Sequence, residues 1–169
     1  MKKAQSPVVS IVMGSDSDLR IMKEAAYVLE SFDVHCEVVL ASAHRSPDRT
    51  SSFAKNAAGR GIKVIIAGAG AAAHLAGVIA SQTTVPVIGV PINATPLNGM
   101  DALLSTVQMP AGVPVAAMAL DSAGAKNAAL LAVRILALSH DDLKKKLEDY
   151  AAKLARGLEE KQEKLAWPE

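Results

Sequence analysis

Ser42-Ala43-His44-Arg45-Ser46-Pro47-Asp48 lies between an apolar run that ends at Leu40 and an amphipathic run that opens at Pro47. The residues ahead of it, His35 to Leu40 (His, Cys, Glu, Val, Val, Leu), are rich in β-branched side chains and bounded by loop chemistry, so they read as a strand. Ser46, Pro47 and Asp48 read as a helix start: a hydroxyl N-cap, a proline where its missing N–H costs nothing, and an acid in the first turn. The stretch is therefore a strand-to-helix turn. It sets His44 and Arg45 at the carboxyl end of a strand, where open α/β sheets bind ligands. Taken alone, a loop histidine also fits a solvated or capping role, and Arg45 a surface charge. A second turn of matching chemistry shifts the balance.

The start of the chain supplies that turn. Val8 to Met13 is an apolar run, broken only by Ser10 and without alternation, the pattern of a parallel strand buried on both faces. Gly14, Ser15, Asp16, Ser17 and Asp18 follow, and then Leu19, Ile21, Met22, Ala25, Ala26, Val28 and Leu29 recur at helical spacing. Backbone N–H groups, hydroxyls and a helix start together suit a phosphate or another anion. The helix end alone contributes only about 0.3 to 1 kcal/mol toward a surface anion. Useful affinity needs a cation, and Arg45 on the next turn is one. A plain N-cap accounts for one hydroxyl here, but not for Ser15, Ser17, Asp16 and Asp18 together.

A second helix is expected from Pro47 to Ala58, stopped by Gly59, Arg60 and Gly61. A third buried strand, Lys63 to Ala67, is expected to empty into a turn made of Gly68, Ala69, Gly70, Ala71, Ala72, Ala73 and His74. Gly68, Gly70 and Ala73 satisfy the G-x-G-x-x-A spacing of dinucleotide sites. Yet the match falls on the third βα unit, and the strand after it, Pro86 to Val90, ends at Pro91, Ile92 and Asn93 without the acid that holds a ribose. The better reading is a turn kept clear of side chains so that backbone N–H groups can approach a small flat ligand, with His74 at the helix start. A histidine that opens a helix with Leu75, Val78 and Ile79 is also explained by a hydrogen bond to neighbouring backbone. His35 and His140 are assigned to structure or solvent.

A long turn, Pro91 to Asn98, precedes a short helix around Met100 to Thr106, and Gln108 to Gly112 is an irregular connection before a fifth strand, Val113 to Leu120. Ser122 to Leu138 is an alanine-rich apolar helix. Five strands alternating with helices predict an α/β fold with a doubly wound parallel sheet, flavodoxin-like in size and order. From Asp141 the composition changes: Leu143, Leu147, Tyr150, Leu154, Leu158 and Leu165 form a narrow apolar stripe at a spacing of about 3.5 on a charged helix. The reading is one domain, with an α/β core over residues 1–140 and a C-terminal helix and tail over 141–169. The stripe packs either on another subunit or on the chain's own domain.

The bulk numbers bound the function. A chain of 169 residues is long enough to bury a core, and 50% hydrophobic content with only 3% aromatics means that the core is built from Ala, Val, Leu and Ile. Lys+Arg 18 against Asp+Glu 17 offers no field for a polyanion, and so few aromatics leave no base-stacking platform, which argues against nucleic-acid binding. Cys36 is the only cysteine, so neither an internal disulfide nor a cysteine metal cluster is expected. Lys2 and Lys3 ahead of Val8 to Met13 superficially resemble a signal peptide, but the apolar run is too short and has no small-residue cleavage site. No segment reaches the ~18 uninterrupted apolar residues of a membrane span. A cytoplasmic, reducing compartment fits.

Four motifs taken together resemble one family closely. Gly14, Ser15, Asp16, Ser17, Asp18; Ser42, Ala43, His44, Arg45; Gly68, Ala69, Gly70 with Ala72, Ala73, His74, Leu75; and Gln108, Met109, Pro110 look like the motifs of the PurE family, the 5-(carboxyamino)imidazole ribonucleotide mutases of purine biosynthesis, in order and spacing from Val8 to Leu138. The resemblance implies a three-layer α/β/α fold and a homo-octamer with sites at subunit junctions. It implies a nucleotide substrate held by Ser15, Asp18 and Arg45, with His44 as acid and base and with Ser42, Gly70 and His74 lining the same pocket. The reaction implied is carboxylate migration from an exocyclic nitrogen to a ring carbon through trapped carbon dioxide, with no cofactor and no metal. Ala71 and Ala76 depart from the family's usual glycine and proline. The rival readings are a same-family carboxylase that takes free carbon dioxide and a flavodoxin-type binding module. Arg45 and the histidine-bearing turn from Gly68 to His74 favour the mutase branch.

Overall fold

The computed structural model describes residues 6–165; Lys2, Lys3 and the tail beyond Leu165 lie outside the described residues. The elements in chain order are β1 (Val9–Met13), α1 (Leu19–Ser31), β2 (Cys36–Leu40), α2 (Pro47–Asn56), β3 (Val64–Gly70), α3 (Leu75–Ala80), β4 (Val87–Ile92), α4 (Met100–Val107), β5 (Ala116–Ala117), α5 (Asp121–Ala137) and α6 (Asp141–Glu163). Two compact units divide the chain, one up to Val133 and one from Arg134 onward.

In the first unit, five strands form an all-parallel sheet in the order β2-β1-β3-β4-β5. Right-handed crossovers dictate where the helices go. The step from β1 to β2 runs one way across the sheet and the later steps run the other way, so α1 covers one face while α2, α3 and α4 cover the opposite one. Lys126 of α5 meets Glu24 of α1 at 3.3 Å, which puts α5 on the α1 face. The result is the three-layer, flavodoxin-like α/β/α sandwich.

Burial follows the apolar pattern. Every residue of β1 is buried, as are Val64 to Gly68 of β3 and all of β4, whereas β2 lies at the sheet edge and leaves Val38 and Leu40 about half exposed. Ser10, fully buried in β1, is satisfied by donating its hydroxyl to Glu37 of β2, and Arg60 pairs with the same carboxylate. On the α1 face, alanines at 125, 128, 129 and 132 of α5 are completely buried, so small side chains bring this helix close to the sheet.

Three boundaries differ from the expected ones. First, β3 continues through Gly68, Ala69 and Gly70 instead of turning at Gly68. A Cβ on Gly68 would stand 2.3 Å from the Met22 sulfur, and one on Gly70 would stand 2.5 Å from the Ala94 Cβ. These glycines are there because α1 and the loop after β4 approach the strand closely. Second, β4 runs on to Ile92 through Pro91. Proline is tolerated because β5 pairs only Ala116 and Ala117, opposite Ile88 and Gly89, so no ladder partner awaits an N–H at position 91. Third, β5 is two residues long and not eight, since Pro114 interrupts the apolar run at the sheet edge.

The second unit contains the end of α5 and the helix α6. Leu143 of α6 is buried, Leu154 and Leu158 are exposed, and Leu165 lies past the helix end. Among the described residues no helix is long and apolar enough to cross a membrane.

Candidate active site

The strand order reverses between β1 and β3, and the crevice beyond the carboxyl ends of strands at such a point is where doubly wound sheets bind ligands. Register brings three loops together there. Met13 of β1 stands beside Leu40 of β2 and Gly68 of β3, so the residues that follow all three strands emerge side by side. Two more hydrogen bonds carry the pairing past the strand ends, Ala41 N–H to Met13 C=O at 2.9 Å and Gly14 N–H to Gly68 C=O at 3.3 Å.

Between these loops lies a cavity of about 350 Å³, lined by Gly14, Ser15, Ser17 and Asp18 after β1, by Ser42, Ala43, His44 and Arg45 after β2, and by Ala69 and Gly70 at the end of β3, Ala71 and Ala72 after it and Leu75 of α3. Ala94, from the loop after β4, completes it. Polar groups come from the first two loops and an apolar wall from the others.

The loop after β2 is held by its serines. Ser46 occupies the N-cap position of α2, but its hydroxyl does not cap the helix as expected. It instead accepts from the Ser42 N–H and donates to the Ser42 C=O, each at 3.1 Å, closing residues 42–46 into a tight loop. The Ser42 hydroxyl in turn accepts from the backbone N–H of Arg45 at 3.2 Å and from its Nε at 3.5 Å. The guanidinium reaches across to the first loop and donates to the Gly14 carbonyl at 2.8 Å. Arg45, which the sequence offered as a cation for the first turn, thus reaches that turn.

In the first loop, Ser15 donates to Asp16 at 3.2 Å and accepts from the Ser17 hydroxyl at 2.9 Å. Asp18 is only 5% exposed, and one of its carboxylate oxygens accepts the Ser15 N–H at 3.0 Å. Burial pushes the Asp18 carboxyl above its ordinary pKa, while the Ser15 N–H and the Arg45 charge pull it back down. Because the folded state then binds the proton more tightly than the unfolded chain, the contribution of Asp18 to stability is fully present at low pH and is lost as pH rises through the raised value. Asp18→Asn is therefore expected to make the ligand-free protein more resistant to urea at neutral pH, with the difference shrinking toward about pH 4. Urea unfolding at both pH values measures it, and a variant less stable than the parent at neutral pH would contradict this account.

The turn after β3 carries backbone strain. Ala71 has φ +54°, a left-handed conformation that costs an L-residue roughly 1–2 kcal/mol. The next two peptides close tight bonds, Ala73 N–H to Ala71 C=O at 2.9 Å and His74 N–H to Ala72 C=O at 2.8 Å. The chain thus turns sharply after Gly70 and leaves only methyl groups on the cavity wall.

The sequence-derived residues Ser15, Asp18, Ser42, His44, Arg45 and Gly70 all come together at this cavity, and His74 meets it only through His44. Gln108, Met109 and Pro110 are not on its wall; Met109 packs against Gly77 of α3. Ala94 was not singled out beforehand. Ala94 sits in the connection after β4, and the available signal for it was the order of strands, which puts that connection next to Gly70.

Residues 8–157 match the family described as AIR carboxylase. N5-carboxyaminoimidazole ribonucleotide mutase of Pyrococcus horikoshii is 57% identical over 163 residues, covering 96% of this chain and 91% of the relative. The protein of the same name from Thermotoga maritima is 52% identical over 159 residues, covering 94% and 92%. The crystal structure of Treponema denticola PurE superposes with a TM-score of 0.86 at 28% identity, covering 95% of this chain and 99% of that one. With the fold and the greater part of the sequence in accord, this chain belongs to the AIR carboxylase family.

Proposed function

We propose that this chain is an isomerase of purine biosynthesis that converts 5-(carboxyamino)imidazole ribonucleotide to 5-amino-4-imidazolecarboxylate ribonucleotide, moving the carboxylate through carbon dioxide held in the cavity. The observation that carries the reading is a single imidazole, His44, set between a cationic, hydroxyl-bearing side of one small cavity and its methyl-lined wall.

Each half of that reaction matches a group on this wall. Arg45 and the Ser15 hydroxyl suit the phosphate, the first through charge-assisted bonds. The buried Asp18 carboxylate, an acceptor when ionised, suits ribose hydroxyls. Breaking the carbamate bond releases carbon dioxide and needs a proton on the exocyclic nitrogen, which protonated His44 gives. The ring carbon then attacks the carbon dioxide, a carbon–carbon bond forms, and neutral His44 takes the proton that the carbon loses. One imidazole thus serves both halves, giving a proton in the first and taking one in the second. Ala69, Ala71, Ala72 and Ala94 offer carbon dioxide an apolar wall, and Gly70, without a side chain, adds no bulk to it.

The test is reaction of the carbamate nucleotide in labelled bicarbonate without ATP. The product is expected to carry mainly the substrate's own unlabelled carboxylate, because carbon dioxide released inside the site has a high effective concentration. Full incorporation of label, with rapid carboxylation of aminoimidazole ribonucleotide at ordinary bicarbonate levels, would instead identify a carboxylase.

The same proposal includes a homo-octamer in the cytoplasm, with residues 141–169 at a subunit interface. Met100, Leu104 and Val107 of α4, with Leu97 just ahead of it, are exposed, as are Leu154 and Leu158 on α6, more apolar surface than isolated chains usually leave bare. Light scattering should give a mass several times 17.6 kDa, and a mass near 17.6 kDa at micromolar concentration would refute assembly.

A further inference from the structure

In the loop after β1, one side chain stands outside the cavity and takes donors from residues that line it. Ser15, Ser17 and Asp18 line the cavity, whereas the exposed Asp16 does not. Oδ1 of Asp16 accepts the Ser15 hydroxyl at 3.2 Å and the Ser17 N–H at 3.0 Å. The Ser17 hydroxyl donates to Ser15 Oγ at 2.9 Å. A hydroxyl has one proton and a carboxylate only accepts, so the direction of the chain is fixed: Ser17 gives to Ser15, and Ser15 gives to Asp16. Two hydroxyl protons and one backbone N–H are thus committed, directly or in relay, to a single carboxylate oxygen. Among the described residues no cation pairs with Asp16, and Arg45 sends its guanidinium to the Gly14 carbonyl and to Ser42.

We infer that Asp16 is a built-in competitor for the phosphate of the ligand, holding the donors of the first loop against it and so setting how tightly an anion binds there. The inference rests on the reading of Ser15 and Arg45 as partners of that phosphate. A phosphate oxygen, like a carboxylate oxygen, can only accept from a hydroxyl proton, so the two acceptors exclude each other at Ser15. For the phosphate to take that proton, the hydroxyl must turn away from Asp16. Asp16 also opposes the phosphate as a like charge, an effect kept small by its exposure to solvent and salt. Its field does reach the cavity wall: burial is the main cause that raises the Asp18 carboxyl, and the Asp16 charge adds to it. An acid at a helix start is also explained by the helix dipole alone. Under that reading substitution lowers stability and leaves anion affinity within about twofold, the size of a weak screened surface charge.

Inorganic phosphate titrated into the ligand-free protein at constant ionic strength, followed by NMR at the Ser15 and Ser17 amides, tests this. Asp16→Asn removes the charge and keeps an acceptor, whereas Asp16→Ala removes both. The dissociation constant is expected to fall about threefold in Asp16→Asn and about tenfold in Asp16→Ala, first from the lost surface charge and then from the hydrogen bonds freed for the anion. KM for the carbamate nucleotide should fall in the same order, while its nucleoside lacking the phosphate binds all three proteins alike. A phosphate affinity unchanged or weakened in Asp16→Ala would overturn the inference. So would an alanine variant no better than asparagine, or a gain equally large for the nucleoside. Phosphate that moves neither amide in any of the three proteins would overturn it too. Failure of the underlying reading looks different: phosphate binds the loop and binds it more tightly in Asp16→Ala, but does not compete with the nucleotide, and the inference then stands for an anion other than the substrate's phosphate.

Discussion

His44→Asn is expected to fold and assemble as the parent does while losing about two to four powers of ten in rate, the range typical of a positioned acid–base group. Asparagine keeps a polar group near the place of Nδ1 but cannot take up or release a proton at neutral pH. The fold should not suffer. His44 is exposed, and the bonds that shape its loop run through Ser42, Ser46, the Arg45 backbone and Gly14 and never through the imidazole. Steady-state kcat with the carbamate nucleotide measures the first part and thermal unfolding the second. Retention of more than about a tenth of the rate would remove His44 from the acid–base role, since that loss falls well below the range for such groups.

The residues that decide this outcome were readable because their chemistry is local. A short, mostly apolar run such as Val9 to Met13 between loop residues reads as a strand buried on both sides, and Pro47 after Ser46 reads as a helix start, so the loops between them could be located from sequence alone. Once the order of strands is right, the loops after β1, β2 and β3 must converge. What was not readable depends on what comes close in space. Gly68 and Gly70 look like turn residues, yet they belong to β3, because the reason for glycine there is Met22 in α1 and Ala94 after β4. Pro91 looks like the end of a strand, and only the shortness of β5 explains why it is not. The Ser46 hydroxyl has the right residue type for a helix cap, but the Ser42 backbone, four residues back, takes it instead. The contact between His44 and His74 spans 30 residues and two different strand ends, so no spacing rule announces it.

The second large effect is expected at Arg45. Its guanidinium is exposed and spends one N–H on the Gly14 carbonyl and its Nε on Ser42, leaving other donors turned to the cavity that it lines. A planar fork of donors matches a phosphate in a way that a point charge does not. Arg45→Ala should therefore weaken the nucleotide by about 10- to 100-fold, since hydrogen bonds to charged groups contribute roughly 1.5 to 3 kcal/mol. Arg45→Lys should recover only part of this, because charge is restored without the fork. The Gly14 carbonyl released by the substitution lies at an exposed contact and is satisfied by water, so stability should change little. The decisive comparison is between the nucleotide and its nucleoside lacking the phosphate. If Arg45 acts on the phosphate, the nucleoside binds parent and Arg45→Ala alike, and the nucleotide loses its advantage only in the variant. An equal loss with both ligands would mean that Arg45 matters as the clasp between the loops after β1 and β2, and the anion would have to be assigned to Ser15, Ser17 and the backbone N–H groups of the first loop.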